Sequence, residues 1–386
     1  MKVLINYLLF LLITIASLPA SATNTHQRNH DDTQQFYQTL LDSTGFGGAA
    51  LIVDGAGEYF NGTTGYANLQ TLTRWEPEMP FSVGSIGKTF IAVVILQLWE
   101  EGRLDLDDPL TRWLEPEIID HLPGAERITL RHLLNHTSGM IDVINDISDL
   151  VDAIFAEPGR VWTDEEAVAY AYDRSLFFEP GTKYRYSNTG YMLLAMVIQR
   201  VTGEHASIAV RQRILDPLEL TQTYYQAYED DGSTLVHGYL QFEDGEIIDT
   251  HPGVINAAFG SNGIATTTAD LARFYRAIFK DRNLLSKKSR KEMLKKNLVE
   301  MNAIEKMGLG IARTDWGNII SYWHNGGEPG YRSIVWYFPE HDLVITAFVN
   351  SSVGDSLIQP AEIFFNKVLC VVMARLSVND RPHYHD

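Results

Sequence analysis

One stretch limits what this chain can fold into more than any other. From Ile86 to Leu98 apolar residues fall on nearly every side of a helical projection, so the segment opening Phe81-Ser-Val-Gly-Ser-Ile-Gly-Lys88 predicts a helix buried all round. It stops at Glu100-Glu-Gly102, with glycine just past the last turn. Yet the first turn carries Ser85 and Lys88. Residues three apart share one helix face, with Cβ atoms about 5–6 Å apart. Burial disfavours the charged ammonium and lowers a lysine pKa. A lysine so placed can act as base toward a neighbouring serine hydroxyl. The helix N-terminus adds free backbone N–H groups for a developing oxyanion. Ser-x-x-Lys also arises by chance at surface helix starts, so the tetrapeptide needs support from elsewhere.

The rest of the chain supplies layers to bury that helix. Its 386 residues suffice for one large or two interlocked domains with a sizeable core. Phe36 to Leu41 reads as a short helix after a polar, flexible lead at 23–34. Gly47 to Val53 and Tyr59 to Ala67 read as strands joined by the hairpin signal Asp54-Gly-Ala-Gly57. Residues 110–255 read as short helices and loops. Thr129 to His136 is one helix, Asp164 to Tyr172 another with Thr163 or Asp164 as cap, and an apolar helix runs from Tyr191 to Val201. Thr267 or Thr268 opens an amphipathic helix through Phe279, and 284–303 reads as an exposed helix. Four strand-like runs follow: Met307–Ala312, Ile319–His324, Arg332–Phe338 and Leu343–Val349. Asn325 to Gly330 and Pro339 to Asp342 read as the turns between them. An apolar helix from about Asp355 to Leu376 closes the pattern.

Strands at both ends with helices between predict an α/β (α+β) fold: one antiparallel sheet flanked by helices, with an inserted, mostly helical lobe. The expected boundaries are a sheet lobe at about 35–103 plus 260–375, a helical lobe at about 104–259, and a polar tail at 376–386. A cleft between two such lobes is a preferred place for a small-molecule site.

Charge and leader narrow the function classes. A net charge of −18 argues against nucleic acid and against an anionic membrane surface as partners. The basic run from Lys287 to Lys296 reads as a solvated helix face. Residues 1–22 read as a cleaved signal peptide: Lys2, an apolar centre from Tyr7 to Ala16, and a small-residue site at Ala20-Ser-Ala22. A retained anchor is the alternative, but the apolar run is short for a span. The expected location is periplasmic or secreted, with no stable membrane anchor. The single cysteine, Cys370, excludes an intramolecular disulfide and reads as a buried structural thiol. The oligomeric state is open.

Two further stretches join the first. Tyr186-Ser-Asn188 follows the Pro180-Gly181 break and precedes the apolar helix; alone it reads as turn and cap residues. His324-Asn-Gly-Gly327 ends a strand, where glycines mark a bulge or a close backbone approach. Taken in order, Ser85-x-x-Lys88, Tyr186-x-Asn188 and His324-x-Gly326 resemble the motifs of the serine penicillin-recognising enzymes. These comprise class C β-lactamases, D-alanyl-D-alanine carboxypeptidases and related esterases; the class A branch has an analogous triple. His132-Leu-Leu-Asn-His-Thr-Ser-Gly139, Asp270-Leu-Ala-Arg-Phe274 and Gly308-Leu-Gly310 agree, and the resemblance spans about residue 36 to 375.

That resemblance implies a β-lactamase/transpeptidase-like fold and a serine hydrolase acting through an acyl-enzyme on a small-molecule or peptide substrate, without metal or organic cofactor. It implies Ser85 as nucleophile and Lys88 as its base or as the partner of a Tyr186 phenolate. Tyr186 becomes the proton shuttle and Asn188 the orienting amide, with Ser85 and Gly327 N–H groups as the oxyanion hole. His324 completes the catalytic set, while Asn325, Gly326, Gly327 and Arg332 fall on the substrate side. Where many members have Lys-Thr-Gly or His-Thr-Gly, this chain has His324-Asn-Gly326. A histidine is mostly neutral at pH 7, so efficient penicillin turnover is in question unless Arg332 supplies the charge. D-amino-acid peptides, β-lactams and carboxylic esters compete as substrates, and a non-catalytic scaffold protein of the same fold is the rival from another class.

Overall fold

Strand pairing joins the earliest strands of the chain to the last. The computed structural model describes residues 25–379 apart from 45–46, 231, 282, 297 and 355–358; the expected signal segment and His383 and His385 lie outside the described residues. The chain divides into a short unit, Met1–Tyr37, and a main unit, Gln38–Asp386. Helix α1 (Thr25–Asp42) replaces the expected flexible lead from Thr25 onward. The run holds no glycine or proline, so nothing stops the helix from starting well before Phe36.

Nine strands form the main antiparallel sheet: β1 (Gly48–Gly55), β2 (Glu58–Asn68), β3 (Thr73–Arg74), β4 (Val299–Glu300), β5 (Glu305–Met307), β6 (Ala312–Asp315), β7 (Ile320–Glu328), β8 (Tyr331–Phe338) and β9 (Leu343–Val349). Their order is β3-β2-β1-β9-β8-β7-β6-β5-β4. Strand β1 runs beside β9 in the register Ala50↔Phe348, which joins the first hairpin to the later strands toward one side of the sheet. β9 is buried along its whole length, as expected of a strand covered on both faces.

Helix α2 (Gly87–Glu100) is the predicted buried helix, and all its residues from Gly87 to Leu96 are inaccessible. It ends as the sequence indicates: Gly102 takes φ +68° and the Arg103 N–H reaches back to the Leu98 carbonyl. Helix α3 (Asn188–Thr202) and helix α4 (Thr268–Lys280) flank it. Phe90 of α2 stacks on Phe274 of α4 at 3.8 Å between ring centroids. The entry to α2 is pinned by a separate short sheet in which Phe81–Ser82 pairs with Ile264–Thr266, itself paired with Tyr224–Tyr225. Among the described residues, the segment between β3 and β4 carries every helix but the first and the last, joined by long loops, and its short strands feed small sheets of this kind.

Five further expectations need correction. Residues 284–303 form a short helix, Lys287–Lys291, then a wide π turn and β4, not one exposed helix. Met293 and Leu294 are buried there, and the Met293 carbonyl accepts from the Leu309 N–H, so tertiary contacts end the helix. The run Met307–Ala312 is broken between β5 and β6 by Gly308-Leu-Gly310, with Gly310 at φ +74°. The turn expected from Asn325 onward is only Pro329-Gly330: β7 stays paired through Gly326↔Ser333 and Gly327↔Arg332 to Glu328↔Tyr331. The last helix, α5, spans Pro360–Asn379 and so takes in part of the expected tail. Its buried face runs through Phe364, Val368, Val372 and Leu376, whereas Cys370 lies off that stripe and is exposed, not buried.

Candidate active site

Ser85 sits in a single 3₁₀ turn, Gly84–Ile86, that leads into α2. Two constraints shape that turn. Gly84 adopts φ +50°, and a Cβ there would lie 3.2 Å from the Gly327 nitrogen. The Val83 carbonyl is held by the Ser333 hydroxyl at 2.8 Å. A Cβ at Gly326 would fall 1.9 Å from that same Val83 oxygen. Gly326 is therefore bare because the serine turn packs on it: the close backbone approach is that of Val83.

One helical turn on, Lys88 is fully buried. Its Nζ lies 3.0 Å from Ser85 Oγ, 2.7 Å from Asn188 Oδ1 and 2.8 Å from the Ser261 carbonyl. The orientation of Asn188 is fixed by its other side. Its Nδ2 donates to both carboxylate oxygens of Asp142, at 3.1 and 3.0 Å, and a carboxylate can only accept. So Oδ1 must face Lys88. Asn188 Oδ1 and the Ser261 carbonyl are likewise pure acceptors. In a neutral amine they take the two N–H bonds, and the remaining lone pair points at Ser85 Oγ. Burial drives Lys88 toward that neutral form: its pKa falls from 10.5 to about 7, partly offset by the negative charges of Asp142 and Glu328.

Asp142 was not legible beforehand. It is buried and anchored in its own loop, accepting from the Ile144 and Asn145 N–H groups at 3.0 and 3.3 Å. No local pattern separates it from any Asx turn; only the fold brings it to Asn188.

Burial raises the Tyr186 phenol far above the ordinary value, and the Ser85 hydroxyl near it offsets only part of that rise. The Tyr186 ring stacks on His136 at 4.3 Å, and Lys88 Nζ lies 5.0 Å from the ring centroid. His136 Nδ1 accepts from the Ser187 N–H at 3.2 Å, so the ring hydrogen belongs on Nε2. Burial pushes its pKa well down, so a neutral imidazole supports the phenol ring. His132 closes a capping box with Thr129 at the start of Leu130–Leu134.

His324 donates from Nδ1 to the Asn325 carbonyl at 2.7 Å, which leaves Nε2 as a bare acceptor without a protein partner. Burial and the nearby Lys88 lower its pKa to about 3, so it carries no charge at neutral pH. Asn325 is exposed and does not line the cavity. Arg332 does not reach it either. Its Nη1 caps the Glu328 and Tyr331 carbonyls at 2.6 and 2.9 Å, so it is not the charge the third motif lacks.

A cavity of about 140 Å³ opens beside the serine. Ser85, Tyr186, Asn188 and Gly327 line one end, and Ile144, Val151, Ile154, Phe155, Val254 and Phe259 form an apolar wall. Strand β6 pairs with β7 only as far as Ala312↔Trp323, so from His324 to Glu328 the edge of β7 toward β6 has no strand beside it. Glu328 also lines the cavity and was missed, because it sits where the sequence suggested a turn. Its carboxylate accepts from Ser82 Oγ at 2.5 Å and Asn262 Nδ2 at 2.6 Å.

A hydroxyl faced by a neutral amine, a buried phenol and an open strand edge thus meet in one place, from three distant parts of the chain. Known proteins share this fold. A D-amino acid amidase from Ochrobactrum anthropi SV3, solved with L-phenylalanine amide, superposes with TM-score 0.77 at 27% identity, covering 90% of this chain and 100% of that one. A D-stereospecific amidohydrolase from Streptomyces sp. gives TM-score 0.71 at 29% identity, over 83% of this chain and 94% of that one. Penicillin-binding protein 4* of Bacillus subtilis is 27% identical over 341 residues, 82% of this chain and 70% of that protein. The beta-lactamase family profile matches residues 33–363, nearly the whole described chain, and with the fold in agreement the protein belongs to the beta-lactamase family of serine hydrolases.

Proposed function

We propose that this protein hydrolyses a small amide or ester through an acyl-enzyme on Ser85. One observation carries the reading: in its neutral form Lys88 has both N–H bonds committed to Asn188 and Ser261, and its lone pair aimed at the serine hydroxyl. Lys88 removes the Oγ proton as Oγ bonds to the substrate carbonyl carbon. The carbonyl electron pair moves to oxygen and is met by the N–H groups of Ser85 and Gly327. The bond to the leaving amine or alcohol then breaks, and Tyr186 supplies its proton, which is replaced from Lys88. Water repeats the sequence on the acyl-enzyme: its proton goes to the same pair, the carboxylic acid leaves and Ser85 is restored. The raised phenol and lowered amine favour Lys88 as the resting base over a Tyr186 phenolate.

Within the hydrolase reading, amides of the kind named for the two amidohydrolases are favoured over penicillins and D-alanyl-D-alanine peptides. A substrate bearing a free carboxylate finds no cation in the cavity, since His324 is neutral and Arg332 is directed elsewhere. Residues 1–22 support export. Among the described residues no helix is long and apolar enough to cross a membrane.

Intact mass measurement of wild type and Ser85→Ala, after exposure to activated esters and a penicillin panel, tests the reading. The wild type gains the acyl mass of an ester and the variant gains nothing. An adduct retained by Ser85→Ala overturns the nucleophile, and no adduct on either favours the scaffold alternative.

A further inference from the structure

Glu328 stands out in the cavity beside Ser85. Among the described residues lining that cavity it is the sole carboxylate, and no lysine, arginine or histidine lines it. Its position is tightly fixed. Ser82 Oγ binds one oxygen at 2.5 Å and Asn262 Nδ2 the other at 2.6 Å. Ser82 is itself held by Gln226 Nε2 at 3.0 Å, and Asn262 by the Ala257 carbonyl at 3.0 Å. The side chain runs past the serine turn: a Cβ on Gly84 would lie 3.4 Å from Glu328 Cγ. Both partners donate to the carboxylate, the arrangement an ionised acid requires. Each oxygen has a further lone pair, so the group can still accept from a ligand.

This arrangement costs something and the acyl-transfer chemistry does not use it. Burial raises the Glu328 carboxyl above its ordinary value, and the bonds from Ser82 and Asn262 and the charges of Lys88 and Arg332 offset this only in part; its negative charge also opposes the lowering of the Lys88 pKa. A neutral residue would give Lys88 a better setting as base. The charges of Lys88 and Arg332 act on Glu328 from nearby, but neither cation lines the cavity, so the carboxylate face turned to the cavity is left for a cation on a ligand. Arg332, the nearest guanidinium in sequence, is bound to the backbone carbonyls of Glu328 and Tyr331. The same cavity is lined by apolar residues that include Ile154, Phe155 and Phe259.

We propose that Glu328 is the anchor for a free amino group on the substrate's acyl side, and that the apolar wall receives that acyl group's side chain. The substrate class is then an amide or ester of an apolar amino acid with an unblocked α-amine. N-blocked peptides and anionic acyl donors are rejected: the first lose the ion pair, and the second meet an unpaired like charge. This rests on the serine-hydrolase reading above.

The test begins with the wild-type enzyme, so it does not depend on a variant folding. Hydrolysis of phenylalanine amide (each enantiomer), its N-acetyl derivative and 3-phenylpropanamide, which lacks the amine, is compared by kcat/KM. The free amine is expected to win by about tenfold or more over both others, the scale of one hydrogen bond to a charged group. Glu328→Gln is expected to bring that ratio close to one; a purely structural role would lower all three rates together and leave the ratio standing. Equal or faster turnover of the N-acetyl amide by wild type, or an unchanged ratio in Glu328→Gln, overturns the assignment. A Ser85 that an activated ester labels while the free-amine amides are ignored also overturns it. Failure of the ester to label Ser85 at all instead strikes the hydrolase reading beneath it.

Discussion

The two walls of the site are built on opposite terms. On the helical side, Ser85, Lys88, Asn188 and Asp142 form an unbroken chain in which each partner's donor and acceptor roles are forced by the next. On the strand side, His324 to Glu328 offers an open edge, a histidine with an unused Nε2 and a carboxylate whose nearby cations, Lys88 and Arg332, do not line the cavity. The first wall sets protonation and geometry before any substrate arrives, as electrostatic preorganisation demands. The second is less closed: the His324 Nε2 has no hydrogen-bond partner, and the Glu328 carboxylate faces the cavity with lone pairs to spare. In the proposed mechanism the proton transfers fall to the first wall, while the second gives the Gly327 N–H to the oxyanion and the groups that would choose the substrate, a division by which one framework can serve many substrates.

Breaking the helical wall should have the largest effect. Lys88→Met removes the base and is expected to lower kcat/KM on an activated ester by about 10³–10⁴-fold. Circular dichroism should show the fold retained, at a stability cost of about 1–3 kcal/mol for the acceptors left unpaired. The contact between the walls comes next. Gly326→Ala drives a Cβ into the Val83 carbonyl and should cost about 1–3 kcal/mol in denaturant unfolding, with loss of activity as the serine turn shifts. Gly327→Ala meets only the end of the Arg332 side chain, at 3.3 Å, and should be far milder in stability. Asp142→Asn frees the Asn188 amide to turn and should lower kcat/KM by about tenfold. The smallest effect is expected outside both walls: Cys370→Ser, on an exposed face of α5, should stay within about 0.5 kcal/mol of wild type in thermal or chemical unfolding.

A pH profile sharpens the same contrast. Lys88 is competent only when neutral, and its pKa lies at about 7, so kcat/KM should rise with pH through that value and level off above it. His324, lowered to about 3, should add no limb between pH 5 and 8. Two separate limbs in that range would mean the strand wall titrates with the reaction.

The helical wall was readable in the sequence and the strand wall largely was not. Ser85, Lys88 and the apolar run behind them carry a periodic signal that burial enforces, so the buried helix and its terminating Gly102 follow from spacing alone. Tyr186 and Asn188 are marked by the Pro-Gly break and the helix that follows. The β7 end was misread because glycine pairs signal turns more often than strands, while here they remain paired with Ser333 and Arg332. That error hid Glu328 and gave Arg332 a role its geometry denies. Asp142 and His136 act through contacts that span 46 and 51 residues of sequence, to Asn188 and Ser187, and no local pattern encodes such a distance.

The protonation of Lys88 is the pivot of the whole account, and it can be measured without any substrate. Titrating the protein with lysine labelled at 13Cε, and assigning the Lys88 signal by its absence from Lys88→Met, gives the pKa directly. A midpoint near 7 is predicted. A Lys88 that titrates near 10.5, the ordinary value of a lysine, would leave the serine without a base at neutral pH and contradict the mechanism.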